Sequence, residues 1–410
     1  MIAIHDQQAG SHDYLRIMYF HPLFQYLYAN GHDVKLITQL DQAKDCIVLT
    51  DTDFLTPEAV TKLKNNGCKV IGFNMVDSSV ISQHCSEFWE VDHIFSLTGI
   101  QKTNVGREFV IDKEFNVSLE DRKFIPDEQW RHFNMMRLTG RLHSLPYVHW
   151  EWLPAINTEP YDRRSQRVLI RGGAHFRRVV LALFLLKLNR LDCNSAFPLH
   201  DFFKPEMAEQ FRFCQPCQRD FQQDGKYCHR APLEREVQCT SPAQWGGELD
   251  LENMGQWNNR CPQSFYWLAE KFKARYGDIP SSDLETLFNG KFVDTQTHLS
   301  ILGRMALTAD LKWLHSIYAP QRFWDGAYAG AVNLLPSRTN DQEYFPHIEE
   351  GEHYITFQEN FQSLEEEAQI SKERYEHISA NTRSLYEQWI KPTDYAINTN
   401  LLKHIVNKIL

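Results

Sequence analysis

Residues 46–74 read CIVLTDTDFLTPEAVTKLKNNGCKVIGFN, and this stretch decides the fold class. Cys46 to Thr50 is a short apolar run, and Thr56-Pro57-Glu58 is a helix start: threonine can cap, and proline is pre-set for the first turn. The helix runs to Asn66, Gly67 ends it, and Lys69 to Asn74 is apolar again. Strand, helix and strand in close succession, with apolar residues on both strand faces, make a unit of a parallel sheet covered by helices. The same alternation extends outward. Met1 to Ile4 and Asp33 to Thr38 read as strands flanking a helix from His21 to Asn30 that Gly31 stops, and Val91 to Leu97 closes the series. The first 100 residues are therefore expected to be Rossmann-like.

Residues 100–165 are less regular and end in the aromatic stretch His149 to Ile156, read as a strand and turn, before a polar linker from Asn157 to Gln166. Arg167 to Ile170 restarts the pattern as a strand, Arg171 to His175 is a turn, and Phe176 to Asn189 is a helix. Residues 194–262 interrupt this second unit with cysteines, prolines and tryptophans. After residue 263 helices dominate, with a strand at Gly330 to Leu335 and a tail of charged helices from Phe361 to Leu410. The expected domains are 1–160, 161–390 with the insertion inside it, and a final helix at 391–410 packing across both.

At 410 residues the chain exceeds one ordinary core, and its 42% hydrophobic and 13% aromatic content fills cores and excludes a disordered or fibrous class. A formal charge of −10 provides no general basic field for nucleic acid or anionic lipid. The longest apolar run, Val179 to Leu186, falls short of the roughly 20 residues of a membrane span. The amino terminus lacks the pattern of a secretory signal, so the cytoplasm is the expected location.

The segment Tyr318 to Pro336, YAPQRFWDGAYAGAVNLLP, followed by Tyr344 to Gly351 and by the phrase Ile348 to Phe357, IEEGEHYITF, resembles the donor-binding segment of GT-B glycosyltransferases. The exostosin-like and spore-protein-like groups are the nearest in pattern. The resemblance implies two Rossmann-like domains facing across a cleft, with the acceptor on the amino-terminal side and a nucleotide-sugar (UDP-, GDP- or dTDP-linked) on the carboxyl-terminal side. It implies no metal requirement for the chemistry. The family has Glu where this chain has Asp325, and Ile317 stands where some relatives carry a second acidic residue.

The residues support a donor site in their own right. Arg322 suits a diphosphate by its fork geometry, and Asp325 suits ribose hydroxyls; the alternative is an i, i+3 surface pair. Arg171, Gly172, Gly173 and Arg177 surround a turn that leaves a strand and opens a helix, where backbone N–H groups and the helix dipole favour phosphate. A plain strand-to-helix turn remains the other reading. His315 precedes the donor helix and either meets phosphate or packs. For catalysis the candidates stand at strand ends: Asp77 first, then His5 and Asp6, as base or electrostatic stabiliser. Asp51 and Asp53 are read as helix caps, and His12 and Asp13 as polar loop residues.

Nine cysteines is an odd number, and five crowd between Cys214 and Cys261. Cys214 and Cys217 form a C-x2-C pair, with Cys228, His229 and Cys239 to complete a tetrahedral structural zinc site. Reduced, unligated thiols in an insertion are the alternative. The acceptor is open among a glycan, a protein, a small molecule and, against the charge, a nucleic acid. A non-catalytic binding or scaffold protein that kept the fold is the rival function.

Overall fold

The computed structural model describes residues 1–6, 16–74, 87–97, 99–111, 115–123, 126–148, 153–172, 176–197, 213–214, 219–220, 262–288, 293–309, 321–358 and 360–410. The elements in order are β1 (Ile2–His5), α1 (His21–Ala29), β2 (Val34–Ile37), β3 (Ile47–Asp51), α2 (Pro57–Asn65), β4 (Lys69–Asn74), β5 (His93–Ser96) and β6 (Ile100–Gln101). A hairpin of β7 (Val105–Ile111) and β8 (Val117–Lys123), then α3 (Asp127–Leu138) and β9 (Leu142–Ser144), complete the first half.

The second half begins with β10 (Ser165–Leu169) and α4 (Phe176–Lys187), and the short ladder of β11 (Phe213–Cys214) and β12 (Arg219–Asp220) follows. Next come α5 (Pro262–Tyr276), α6 (Ser281–Phe288), α7 (Thr295–Leu302), β13 (Met305–Ala309), α8 (Gln321–Ala329), β14 (Val332–Pro336), β15 (Gln342–Glu343) and β16 (Tyr354–Phe357). The chain finishes with α9 (Leu364–Glu367), α10 (Lys372–Leu385) and α11 (Thr399–Ile409).

The first sheet has the order β2-β1-β3-β4-β5-β9, and every neighbouring pair is parallel. The inner strands β1, β3 and β4 are buried on both faces because successive side chains alternate between two helix layers. Ile4, Ile71, Phe73 and Phe95 face α1 and α11, meeting Leu23, Leu27, Leu402 and Ile405. Ala3, Val48, Val70 and Ile94 face the other way, onto Val60 and Leu63 of α2 and Phe133 and Met136 of α3. The expected helix start holds: Thr56 Oγ1 accepts from the Ala59 N–H, and Gly67 sits at φ +75° beyond the helix end.

The second sheet, β10-β13-β14-β16, is also entirely parallel. Val168, Leu307, Leu334 and Ile355 pack against α4 and α5, while Leu169 and Met305 pack on Leu299 and Leu302 of α7. The α/β class with two parallel sheets is as expected.

Three features place the sheets relative to each other. The segment leaving the carboxyl end of β5 pairs antiparallel with the segment leaving β14, through Gln101 with Gln342 and Ile100 with Glu343. The Lys102 N–H extends this ladder to the Asp341 carbonyl at 2.8 Å. Gly99 lies so close to Gln342 that its Cβ would stand 2.7 Å from Tyr344 Cε1, so only glycine fits. The carboxyl edges of both sheets, where α/β proteins bind ligands, are thereby brought together. The chain then crosses back: Tyr375 of α10 donates to the Gly330 carbonyl at 2.6 Å beside the second sheet, while α11 completes the core of the first. Lys69 Nζ donates to the Ile409 carbonyl at 2.6 Å.

Several expectations are corrected. Residues 153–156, the end of the stretch read as a strand and turn, have no regular structure, because Pro154 and the contacts of Leu153 and Ile156 with the second core hold them as a covering segment. The polar linker ends early, since Ser165 and Gln166 already belong to β10. The region after residue 263 contains three further strands, β13, β15 and β16; the apolar runs of β13 and β16 resemble buried helix segments in composition. Asp51 caps a 3-10 turn through the Asp53 N–H, and the helix cap proper is Thr56.

Candidate functional site

On the carboxyl edge of the second sheet, β10 runs into Ile170, Arg171 and Gly172. Gly172 has φ +131°, a conformation that residues with a Cβ avoid. Arg322, in the first turn of α8, donates from Nη1 to the Arg171 carbonyl at 2.8 Å. Its guanidinium lies across Gly172, where an added Cβ would stand 2.5 Å from Cζ. Arg171 is half-buried and donates from Nη1 to the Asn194 carbonyl at 2.7 Å. Burial, and secondarily the charge of Arg322, lower its pKa. Arg178, at the start of α4, is buried. Two guanidiniums, of Arg171 and Arg322, thus meet at the end of β10, a cationic setting suited to a polyanion.

Asp325 lies one turn along α8 from Arg322 and is 5% exposed. Burial pushes its carboxyl pKa up to about 7, against the opposing pull of Arg322. Its Oδ2 is 3.7 Å from Nε2 of His298 on α7. The reading of Arg322 and Asp325 as a surface pair is excluded by this burial. The sequence reading did not single out His298, since nothing in the spacing of residues 298 and 325 announces that α7 packs on α8. Also unforeseen are Arg338 and Thr339, both buried just beyond the carboxyl end of β14.

On the first sheet, His5 ends β1, is 2% exposed, and shares a hydrogen bond of 2.8 Å between Nδ1 and Thr50 Oγ1. Its ring meets Phe54 edge-on. Asp6 follows: its Oδ1 is 2.9 Å from Arg16 Nε and its Oδ2 is 3.7 Å from His21 Nε2, while Arg16 Nε also reaches His21 Nε2 at 3.1 Å. Arg16 and His21 complete a cluster of which the sequence reading named one member. At the neighbouring strand ends Thr52 Oγ1 donates to Asn74 Oδ1 at 3.3 Å, and Asp51, Asn74 and Ser96 are buried polar residues. One edge thus presents carboxylate, imidazole, hydroxyl and amide groups, and the other presents guanidiniums.

Asp77, Gly173 and His315 lie outside the described residues, as do His12 and Asp13. So do Cys217, Cys228, His229 and Cys239. Cys214 is in β11 and Arg177 in the first turn of α4, with side chains outside the described set. Among the described residues no group of three or more His, Cys, Asp or Glu is arranged to hold a metal ion, and no helix is long and apolar enough to cross a membrane.

Against models of protein families the sequence has no match, and no curated protein matches it. Solved structures do share features with it. The UDP-forming α,α-trehalose-phosphate synthase of Burkholderia xenovorans is 9% identical, with 98% of this chain and 80% of that chain covered and a TM-score of 0.41. An apo structure of OtsA is 9% identical over 100% of this chain and 98% of that one, with a TM-score of 0.40. Anabaena HepE in complex with UDP and glucose is 11% identical, with coverage of 99% and 98% and a TM-score of 0.26. With TM-scores this low, none of these likenesses speaks to what this chain binds or transfers.

Proposed function

We propose that the chain is a glycosyltransferase of the GT-B type, moving a sugar from a nucleotide-sugar to an acceptor hydroxyl. The observation that supports this reading is the juxtaposition of two parallel-sheet carboxyl edges, joined through Gln101 and Gln342, with unlike chemistry on the two sides. The turn of Arg171, Gly172 and Gly173, with Arg177, Arg322 and His315, would take the diphosphate. Fixed cations and backbone dipoles there stabilise the leaving group without a metal. Asp325 would serve the ribose or the helix that faces it. The acceptor would lie against the first sheet, where Asp77 and Asp6 are the proposed base or stabilising carboxylate. His5, buried on Thr50, would support that edge from behind.

In this scheme the acceptor oxygen attacks the anomeric carbon, its proton passes to a carboxylate, and the sugar–phosphate bond breaks with its electron pair on the diphosphate. The cysteine segment, with Cys214, Cys217, Cys228, His229 and Cys239, is proposed as a structural zinc site, to be checked by metal analysis of purified protein.

A thermal-shift panel with UDP, GDP and dTDP tests the function directly. Stabilisation by one of them is expected, and transfer is then measured with the matching nucleotide-sugars. Indifference to all three would replace the enzyme by a non-catalytic binding protein. Asp77→Asn is the discriminating substitution, because Asn keeps shape and capping while removing charge. Transfer about a hundredfold slower with unchanged melting is expected. Near-normal transfer moves the role to Asp6.

A further inference from the structure

We propose that His298 is a positioning residue of the donor side: by pairing with Asp325 it holds the helix carrying Arg322 where that guanidinium lies across Gly172. The consequence for ligand binding rests on the donor reading above; the geometry does not.

Helix α8 is tied at two points one turn apart. Arg322 is bonded to the Arg171 carbonyl at the sheet edge. Asp325 faces α7, with Oδ2 3.7 Å from His298 Nε2. His298 is itself fixed by a short capped helix: Asp294 accepts from the Thr297 N–H at 2.7 Å, and the His298 N–H donates to the Asp294 carbonyl at 2.9 Å. Helix α7 is bound to the sheet through Leu299 and Leu302. The line of support therefore runs from the second core through α7 and His298 to Asp325, and from there to Arg322.

The other side of α8 is held to β14 and the linker: Asn333 Nδ2 donates to the Phe323 carbonyl at 3.2 Å, beside Gly326, and Tyr328 donates to the Pro154 carbonyl at 3.0 Å. Neither bond reaches the side chain of Asp325, which His298 faces. Facing Asp325 are Arg322 on its own helix, His298 from α7 and Tyr386 from the turn after α10.

The test compares wild type with His298→Gln. Amide exchange reads the geometry without any ligand: residues 322–329 are expected to exchange about tenfold faster in the variant, with β13 and β14 unchanged. Calorimetry with UDP, GDP and dTDP reads the consequence. The best-binding nucleotide should bind about five- to tenfold more weakly to the variant. Unchanged exchange at residues 322–329, or acceleration spread through the whole second sheet, overturns the positioning role. Equal nucleotide affinity in wild type and variant overturns it as well. If wild type binds none of the three nucleotides, the donor reading has failed, and the exchange experiment alone decides whether His298 tethers α8.

Discussion

Arg322 donates to the carbonyl oxygen of Arg171 from 2.8 Å, across 151 positions of sequence, and closes the helix of one α/β unit onto the turn of another. The bond requires that the next residue have no side chain. At Gly172 a Cβ would stand 2.5 Å from the guanidinium carbon, and φ is +131°.

Gly172→Ala should therefore act in two ways. The strained backbone costs on the order of 1–3 kcal/mol, lowering the melting temperature modestly. The displaced Arg322 should weaken nucleotide binding by about tenfold or more, and Arg322→Lys, with an intact turn, should weaken binding with little change in melting. Normal affinity in both variants would remove the turn from the donor site.

Asp325 makes a pH-dependent contribution to stability. Its folded pKa of about 7 lies above the 3.8 of an ordinary aspartate, so the unfolded chain ionises first as pH rises. Stability falls between pH 3.8 and pH 7, and the full loss, on the order of a few kcal/mol at most, is present above pH 7. Asp325→Asn removes this titration. Its melting temperature relative to wild type should climb from pH 4 to pH 7 and then level off; a constant offset would show that burial does not perturb Asp325.

His143 gives the opposite slope. Burial, then the charges of His93, Lys408 and His404, push its pKa down from 6.5 to about 3, and its ring shares a 3.1 Å hydrogen bond with His93. The folded state holds it neutral, so stability is complete above pH 6.5 and declines as pH falls toward 3, by up to about 1.4 kcal/mol per unit. His143 stacks on Phe95, with centroids 4.8 Å apart, so His143→Phe can keep the packing. Chemical denaturation at pH 7 and pH 5 should show a smaller loss in the variant than in wild type.

Arg164 is a structural counterpart to the site. It is 6% exposed and donates to the carbonyls of Glu159, Met305 and Ala329 at 2.7, 2.7 and 3.1 Å, with Tyr375 5.4 Å away across its face. Ala329 ends α8, where a cation is favoured by the helix dipole. Arg164→Met leaves buried carbonyls without donors and should cost on the order of 3 kcal/mol or more. Little change in denaturation midpoint would show that water replaces the guanidinium.

The first sheet was legible because its strands are short apolar runs punctuated by Thr56-Pro57, Gly31 and Gly67, and local chemistry is enough to place such elements. Arg322, Arg171 and Gly172 were legible as chemistry for the same reason: each sits at a strand end or in a helix's first turn. What the sequence determined by itself was therefore the α/β class, most strands of the first half, and the residue types at the edge. Tertiary structure alone decided that β13 and β16 are strands rather than helix, since burial on both faces erases their period. It also decided that Asp325 meets His298, that Asp6 meets Arg16 and His21, and that α11 returns to the first core. Those pairings depend on the packing of helices on sheets, and contacts between residues far apart in sequence leave no local signature in a single chain.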